Sequence, residues 1–502
     1  MADSIIVAHP SFTVGALNRR IFGTFVEHMG RCVYTGIYQP DHPSADEHGF
    51  RQDVAELVEE LGPTLVRYPG GNFVSNYRWE DGVGPKEERP RRLDLAWRSI
   101  ETNQVGTDDF LGWCERMGIE PMLAVNLGTR GLQEAVDYLD YVNGEDTTLA
   151  GQRAANGREE PWGVALWCLG NEMDGPWQMG HMTAGEYGRV AEEVANAFKR
   201  FDQSLELVAC GSSNSGMPTF GAWEHEVLSR SLHLVDHISA HVYYEPIDGD
   251  LVSFLAVAEN MDRFIDSVTA TADAVAAARK IDKRIGVSFD EWNVWYQSRF
   301  DGEGNLPVRE APPLIEDTYT VADAVVVGSL LITLMRHTDR VAMACQAQLV
   351  NIIAPIRTEP DGPAWRQTIF HPFALTSKYA KGDVLDLRVQ SPTIDTPAFG
   401  PVDQVWSTAT YDEEQGDLAL FLVNRGLDDD VAVTVDLTAF AEMGLVEHLL
   451  LHEDDHTLTN GAGQERVVPK AGQSRLDHNT LTITLPAVSW HCVRLTTRLD
   501  RA

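Results

Sequence analysis

Residues 163–172 read GVALWCLGNE, and the build of that stretch decides the architecture. From Val164 to Leu169 it is apolar without a break, and then Gly170 hands over to Asn171 and Glu172. A strand with one wet face alternates apolar and polar residues. A strand buried on both faces runs apolar throughout, as in a parallel sheet covered by helices. Seven further stretches repeat the design: IFGTFVEH (21–28), TLVRYPGG (64–71), PMLAVNLG (121–128), LELVACGSS (205–213), HISAHVYY (237–244), RIGVSFDEWNV (284–294) and AMACQAQLVN (342–351).

Amphipathic segments lie between these strands, among them FRQDVAELVEELG (50–62), TDDFLGWCERMG (107–118) and GEYGRVAEEVANAFKRF (185–201). The stretch FLAVAENMDRFIDSVTATADAVAAARK (254–280) reads as one long helix. Eight such strand–helix units predict an α/β fold, a (β/α)8 TIM barrel over residues 19–381. An open doubly wound sheet is the competitor, but no Gly-rich phosphate loop follows the first strand. The strand ends also carry reactive side chains nearly all round: Glu27, Arg67, Asn126, Asn171 and Glu172, Asn214, His241 and Tyr243, Asp290 and Glu291, and Gln348. A barrel gathers all its strand ends at one face, whereas an open sheet does so only near a switch point.

After Gly382 the texture changes. DLALFLVN (417–424), DVAVTVDL (430–437) and TLTITLPAVSWHCVRL (480–495) alternate with a period of two, which predicts a jelly-roll-like antiparallel β-sandwich over 382–502. DSIIVAHPSFTVG (3–15) is strand-like too and precedes the first barrel strand. Residues 1–18 are therefore expected to cross over and complete that sandwich.

Composition limits the partners. Forty basic against seventy-five acidic residues give a formal net charge of −35, which repels nucleic acid and anionic membranes but tolerates a neutral sugar. The six cysteines are scattered, with no CxxC pair, and read as buried free thiols in a reducing cytosol. The start, MADSIIVAHPSF, lacks a basic n-region and a long apolar run, so a cytoplasmic location is expected. VADAVVVGSLLITLM (321–335) is too short for a bilayer span and contains Asp323, which suggests a buried helix. The histidine-bearing acidic loops DHPSADEH (41–48) and HEDDH (452–456) match no closed ligand spacing and read as solvated surface, so neither a metal nor a cofactor is expected.

Two strands end in a glutamate with suggestive neighbours: Glu172 in LWCLGNEMDGPW and Glu291 in VSFDEWNVWY. A carboxyl among tryptophans and apolar residues is desolvated and keeps its proton, as a proton donor must. A second carboxylate, held by polar donors, stays ionised and can attack an anomeric carbon. Either glutamate alone reads as easily as an ion-paired strand end. The pair, on strands four and seven of one barrel, points to glycoside hydrolysis.

The pattern resembles the clan of retaining (β/α)8 glycosidases. Within that clan the chain is similar to the family-51 α-L-arabinofuranosidases along nearly its whole length. The matching stretches are GTFVEHMGRCVYTGIY (23–38), VRYPGGNFVSNYRWEDGVGP (66–85), LAWRSIETNQVGTDDF (95–110), LGNEMDGPWQMGH (169–181), SFDEWNVWY (288–296) and AQLVNIIAPI (347–356). The resemblance implies an exo-acting retaining enzyme on arabinose-containing oligosaccharides, assembled as a hexamer. It casts Glu172 as acid/base and Glu291 as nucleophile. Asn171 would bond the sugar 2-OH, and Glu27, Asn72 and Gln348 would bind at the pocket floor. Tyr243, near His241, would touch the nucleophile, and Arg67 would keep it charged. Trp97, Trp177 and Trp295 would shape the pocket.

The residues alone leave Tyr244 beside Tyr243 and Gln346 beside Gln348 as alternatives, since period two puts both glutamines on one face. Two other functions also stay open. One is a different retaining barrel glycosidase, a β-xylosidase or an endo-β-glycanase; the other is a non-catalytic carbohydrate-binding protein.

Overall fold

A computed structural model describes residues 2–305 and 307–498. Eight parallel strands close into a barrel: β1 (Gly23–Phe25), β2 (Leu65–Tyr68), β3 (Glu120–Ala124), β4 (Leu166–Leu169), β5 (Glu206–Ala209), β6 (His237–Tyr244), β7 (Gly286–Val294) and β8 (Val341–Ala347). Six fall inside the apolar stretches read from the sequence, and β3 and β8 begin one residue before theirs, at Glu120 and Val341. β1 pairs with β8, Phe25 opposite Ala347, which closes the ring. At the N-terminal rim Arg20 ties Glu120 and Glu206 into a closed ion-pair cluster, and the open cavity lies at the C-terminal rim.

The helices form where capping and periodicity agree. Ala184–Phe201 starts at a reciprocal box between Thr183 and Glu186 and buries Tyr187, Ala191, Val194, Ala195 and Phe198 on one stripe. The expected single helix over 254–280 is in fact two, Leu251–Leu255 and Ala258–Arg279. Asp250 caps the first through the Ser253 N–H, and at Ala256 the backbone leaves the helical ladder. The break turns Phe254 and Val257 toward the barrel mouth.

Val321–Arg336 is buried from Val321 through Met335. It can be apolar all round because it is wedged between the barrel and the sandwich. Gly328 lies flat against Trp490 of the sandwich, where a Cβ would come within 2.1 Å of the indole. Among the described residues, no helix is long and apolar enough to cross a membrane.

The C-terminal strands make two stacked sheets with a separate apolar core between them, including Ile6, Leu420, Val433 and Leu495. The N-terminal strands enter both. Thr13–Ala16 pairs antiparallel with Asp383–Leu385 in the seven-stranded sheet. Ala2–Val7 lies inside the five-stranded sheet, antiparallel to Arg388–Gln390 but parallel to Val431–Asp436. One parallel ladder thus sits in an otherwise antiparallel domain, because this strand arrives from the far end of the chain and not from a hairpin.

Candidate active site

β4 ends in a tight corner. Gly170 adopts φ +93°, and Glu172 itself sits at φ +43°, a region costing a non-glycine residue about 1 kcal/mol. The corner aims the Glu172 carboxyl over the barrel mouth. There His241 Nδ1 lies 2.9 Å from Oε1, and the Trp177 indole N–H donates to Oε2 at 2.7 Å. Glu291, from β7, accepts from Arg67 Nη1 at 2.6 Å and from the Tyr243 hydroxyl at 2.8 Å. One oxygen of each glutamate and one nitrogen of His241 all lie within 4.8 Å of one another. Among the described residues this is the one cluster with metal-like spacing, but the Arg67 guanidinium against Glu291 disfavours a cation there.

Charge separates the two carboxyls. Burial pushes the Glu172 carboxyl up, and the nearby Glu291 charge adds to it, against the opposing bond from His241. Burial pulls His241 down, but Glu291, Asp290 and Glu172 together outweigh it and raise it to about 10. Beneath them Asp290, although buried, is held low by Arg67 and by His241 Nε2, 2.7 Å from its Oδ1. Arg67 also donates to Asn171 Oδ1 at 2.6 Å, which fixes that buried amide with its N–H group toward Gln178.

The floor is built round Glu27, which is 2 % exposed. It accepts the Phe73 N–H at 2.9 Å, the Trp97 indole N–H at 2.8 Å and the Gln348 amide at 3.1 Å. Burial pushes its carboxyl up to about 8. Gly71 is required here, since a Cβ would stand 2.5 Å from Glu27 Oε2. Asn72 and Trp295 line the same cavity, Trp295 edge-on to Tyr243 at 5.2 Å.

Two open choices resolve geometrically. Tyr243 reaches Glu291, while Tyr244 turns outward to Asn260. Gln348 reaches Glu27, while Gln346 stays below, bonded to Asn293. β8 ends at Ala347, so the period-two argument stops one residue short of Gln348.

The comparisons with known proteins bear on this geometry. Residues 57–267 match the family model described as alpha-L-arabinofuranosidase 1 domain, and residues 290–489 match that of the alpha-L-arabinofuranosidase C-terminal domain. An intracellular exo-alpha-(1->5)-L-arabinofuranosidase of Acetivibrio thermocellus is 50% identical, covering 99% of this chain and 100% of that protein. One of the same description from Streptomyces lividans is 54% identical over 97% of this chain and 74% of its own. A solved family 51 alpha-L-arabinofuranosidase from Bifidobacterium longum superposes with a TM-score of 0.95 at 50% identity, covering 98% of this chain and 99% of that one. The chain belongs to the family-51 α-L-arabinofuranosidases.

Sequence reasoning assigned no role to several residues of this family-51 site. Asp290 was visible only as the neighbour of Glu291, and strict alternation would aim the two at opposite faces. β7 carries an extra residue against both neighbours, between Ser288 and Glu291 opposite β6 and between Phe289 and Trp292 opposite β8, which breaks that alternation and lets both carboxylates reach His241. Gln178, 3.5 Å from Asn171 Nδ2 and bonded to Ser75, sits in a loop without any period that could flag it. The cavity also runs on past the glutamates, to about 790 Å3, lined there by Asn214, Glu245, Phe254, Phe300 and Phe399.

Proposed function

We propose that this family-51 enzyme removes non-reducing-end α-L-arabinofuranosyl residues from arabinose-containing oligosaccharides by double displacement. The observation that carries the reading is the Glu172–Glu291 pair, with oxygens within 4.8 Å and opposite surroundings. That closeness suits retention, where the carboxyls stand roughly 5–5.5 Å apart, and leaves no room for the water of an inverting enzyme. Glu291, fixed by Arg67 and Tyr243, attacks the anomeric carbon as Glu172 passes its proton to the leaving oxygen. Glu172, now a carboxylate, takes a proton from water, which displaces Glu291 with the configuration restored. Glu27, Asn72, Asn171 and Gln348 bind the furanose hydroxyls, and Trp97, Trp177 and Trp295 frame the ring.

The relatives' names support an intracellular location and a (1→5) linkage. We extend both to this chain as part of the proposal, together with a homo-oligomeric, hexameric assembly that light scattering would check. A panel of aryl glycosides tests the central reading. The α-L-arabinofuranoside should be hydrolysed with kcat/KM at least about tenfold above the β-xyloside and β-glucoside, a gap of about 1.4 kcal/mol in barrier. Preference for either of the latter would overturn the substrate while leaving a glycosidase.

A further inference from the structure

Inside the sandwich portion, Thr393–Thr396 and Gly400–Asp403 pair into a hairpin that joins neither sandwich sheet. Its tip reaches the barrel. The Ala398 N–H donates to the Ser253 hydroxyl at 3.0 Å, on the short helix that begins after β6. Within the tip, the Thr396 hydroxyl donates to the Gly400 carbonyl at 2.9 Å and accepts the Phe399 N–H at 3.0 Å, so the turn is set by its own bonds. Phe399 is half-buried, packs against the barrel core, has the Arg263 guanidinium 6.0 Å from its ring, and lines the same cavity as Glu172 and Glu291.

A cavity of about 790 Å3 is near the upper end of the range that encloses whole drug-sized ligands, far more than one pentose fills. Its lining beyond the glutamates combines apolar side chains (Phe254, Phe300, Phe399) with groups that can bond hydroxyls (Asn214, Glu245, Gln297). Sugars present the same combination, C–H faces and O–H edges. The acid groups there, with a net charge of −35 overall, favour a neutral chain over a uronate-bearing one.

We propose that the 393–403 hairpin is the outer wall of a binding site for the leaving oligosaccharide, with Phe399 as the platform that holds a neutral sugar unit beyond the one next to the scissile bond. The proposal rests on the arabinofuranosidase reading above. It makes the sandwich a contributor to substrate selection and not only a support for the barrel. A rigid aromatic face of this kind contributes mainly to ground-state binding of remote units, so truncation acts on KM more than on kcat.

The test uses the full chain with (1→5)-linked α-L-arabino-oligosaccharides of two to five units, and an aryl α-L-arabinofuranoside as the short-aglycone reference. For the unmodified enzyme kcat/KM should climb with chain length. Phe399→Ala should lower kcat/KM on the longer chains about tenfold, through KM, with the aryl substrate and the melting temperature little changed. Ser253→Ala, which frees the tip, should flatten the same climb. An unmodified enzyme without any climb, a climb that survives Phe399→Ala, or equal losses on aryl and oligosaccharide substrates would each overturn the hairpin's role. Failure of the unmodified enzyme on the aryl arabinofuranoside would instead overturn the functional reading beneath it.

Discussion

At the scale of single residues, the two glutamates differ in what surrounds them, and their variants should fail differently. Glu291→Ala removes the nucleophile, so good and poor leaving groups should both stall, by at least about a thousandfold, and azide should restore turnover with inverted configuration. Glu172→Ala keeps the nucleophile. Activated aryl substrates should still form the glycosyl-enzyme, its breakdown should become slow, and azide should rescue with retention. Proton NMR of the products reads both outcomes, and a swapped pattern would reverse the two assignments. Trp177 offers a separate handle because it is 51% exposed, and its loss should not unfold the site. Its N–H bond to Oε2 favours the ionised form of Glu172, opposing burial and the Glu291 charge. Trp177→Phe removes a bond that stabilises the carboxylate, so the Glu172 pKa rises further. The basic limb of kcat/KM, where the proton donor is lost, should therefore move to higher pH. A limb that stays or moves down would mean that the indole does not act on Glu172.

At the scale of elements, the eight barrel strands were legible as mostly apolar runs closed by polar residues and separated by amphipathic helices. The sandwich strand Asp417–Asn424 was misread as alternating, since it is apolar from Leu418 to Val423 and buried on both faces, between the barrel side and the sandwich core. The catalytic pair was legible because it ends two of the barrel runs. The extra residue on β7 was not, since it depends on how the neighbouring strands settle and not on local propensity; hence Asp290 went unassigned. Nor was the 393–403 hairpin legible: its turn closes on its own Thr396 hydroxyl, but what anchors it to the barrel is a hydroxyl more than a hundred residues away, on Ser253.

The sandwich holds another feature of this kind. On neighbouring strands, His448 Nε2 and His491 Nδ1 lie 2.9 Å apart, both rings buried, and His491 Nε2 is 2.8 Å from the Ser489 hydroxyl. Burial alone holds His448 down at about 4; burial holds His491 well below its ordinary value, and the nearby His448 and His452 lower it further. Unfolded histidines bind protons from about pH 6.5 downward and these folded ones do not, so their share of stability is complete above that pH. It is lost as pH falls toward 4. From pH 7 to pH 5 the loss should be on the order of 2 kcal/mol for each histidine, and His448→Gln should reduce the total by about half, as urea melts at the two pH values would register. An undiminished pH difference in that variant would rule the pair out as its source.

At the scale of the whole molecule, the chain ties its two halves together twice. The fully buried helix Val321–Arg336 carries sandwich contacts on one side and barrel contacts on the other. The N-terminal crossing is the second tie: Ala2–Val7 fills a slot between Arg388–Gln390 and Val431–Asp436, with Ile6 in the sandwich core. Removing the first twelve residues would strip a six-residue ladder from Val431–Asp436, uncover Val431, Val433 and Val435, and leave an open strand edge in their place. Loss of one buried isoleucine and its ladder is worth several kcal/mol, and in a unit the size of the sandwich, melting ahead of the barrel, each one moves the melting temperature by about 4 °C. The truncated protein should therefore melt at least about 5 °C lower by scanning calorimetry and aggregate sooner on heating. The barrel mouth is built without these residues, so the fraction still folded at 25 °C should keep its specific activity. A melting curve that ignores the truncation would mean that the N-terminal strand contributes no stability, and that the sandwich is complete without it.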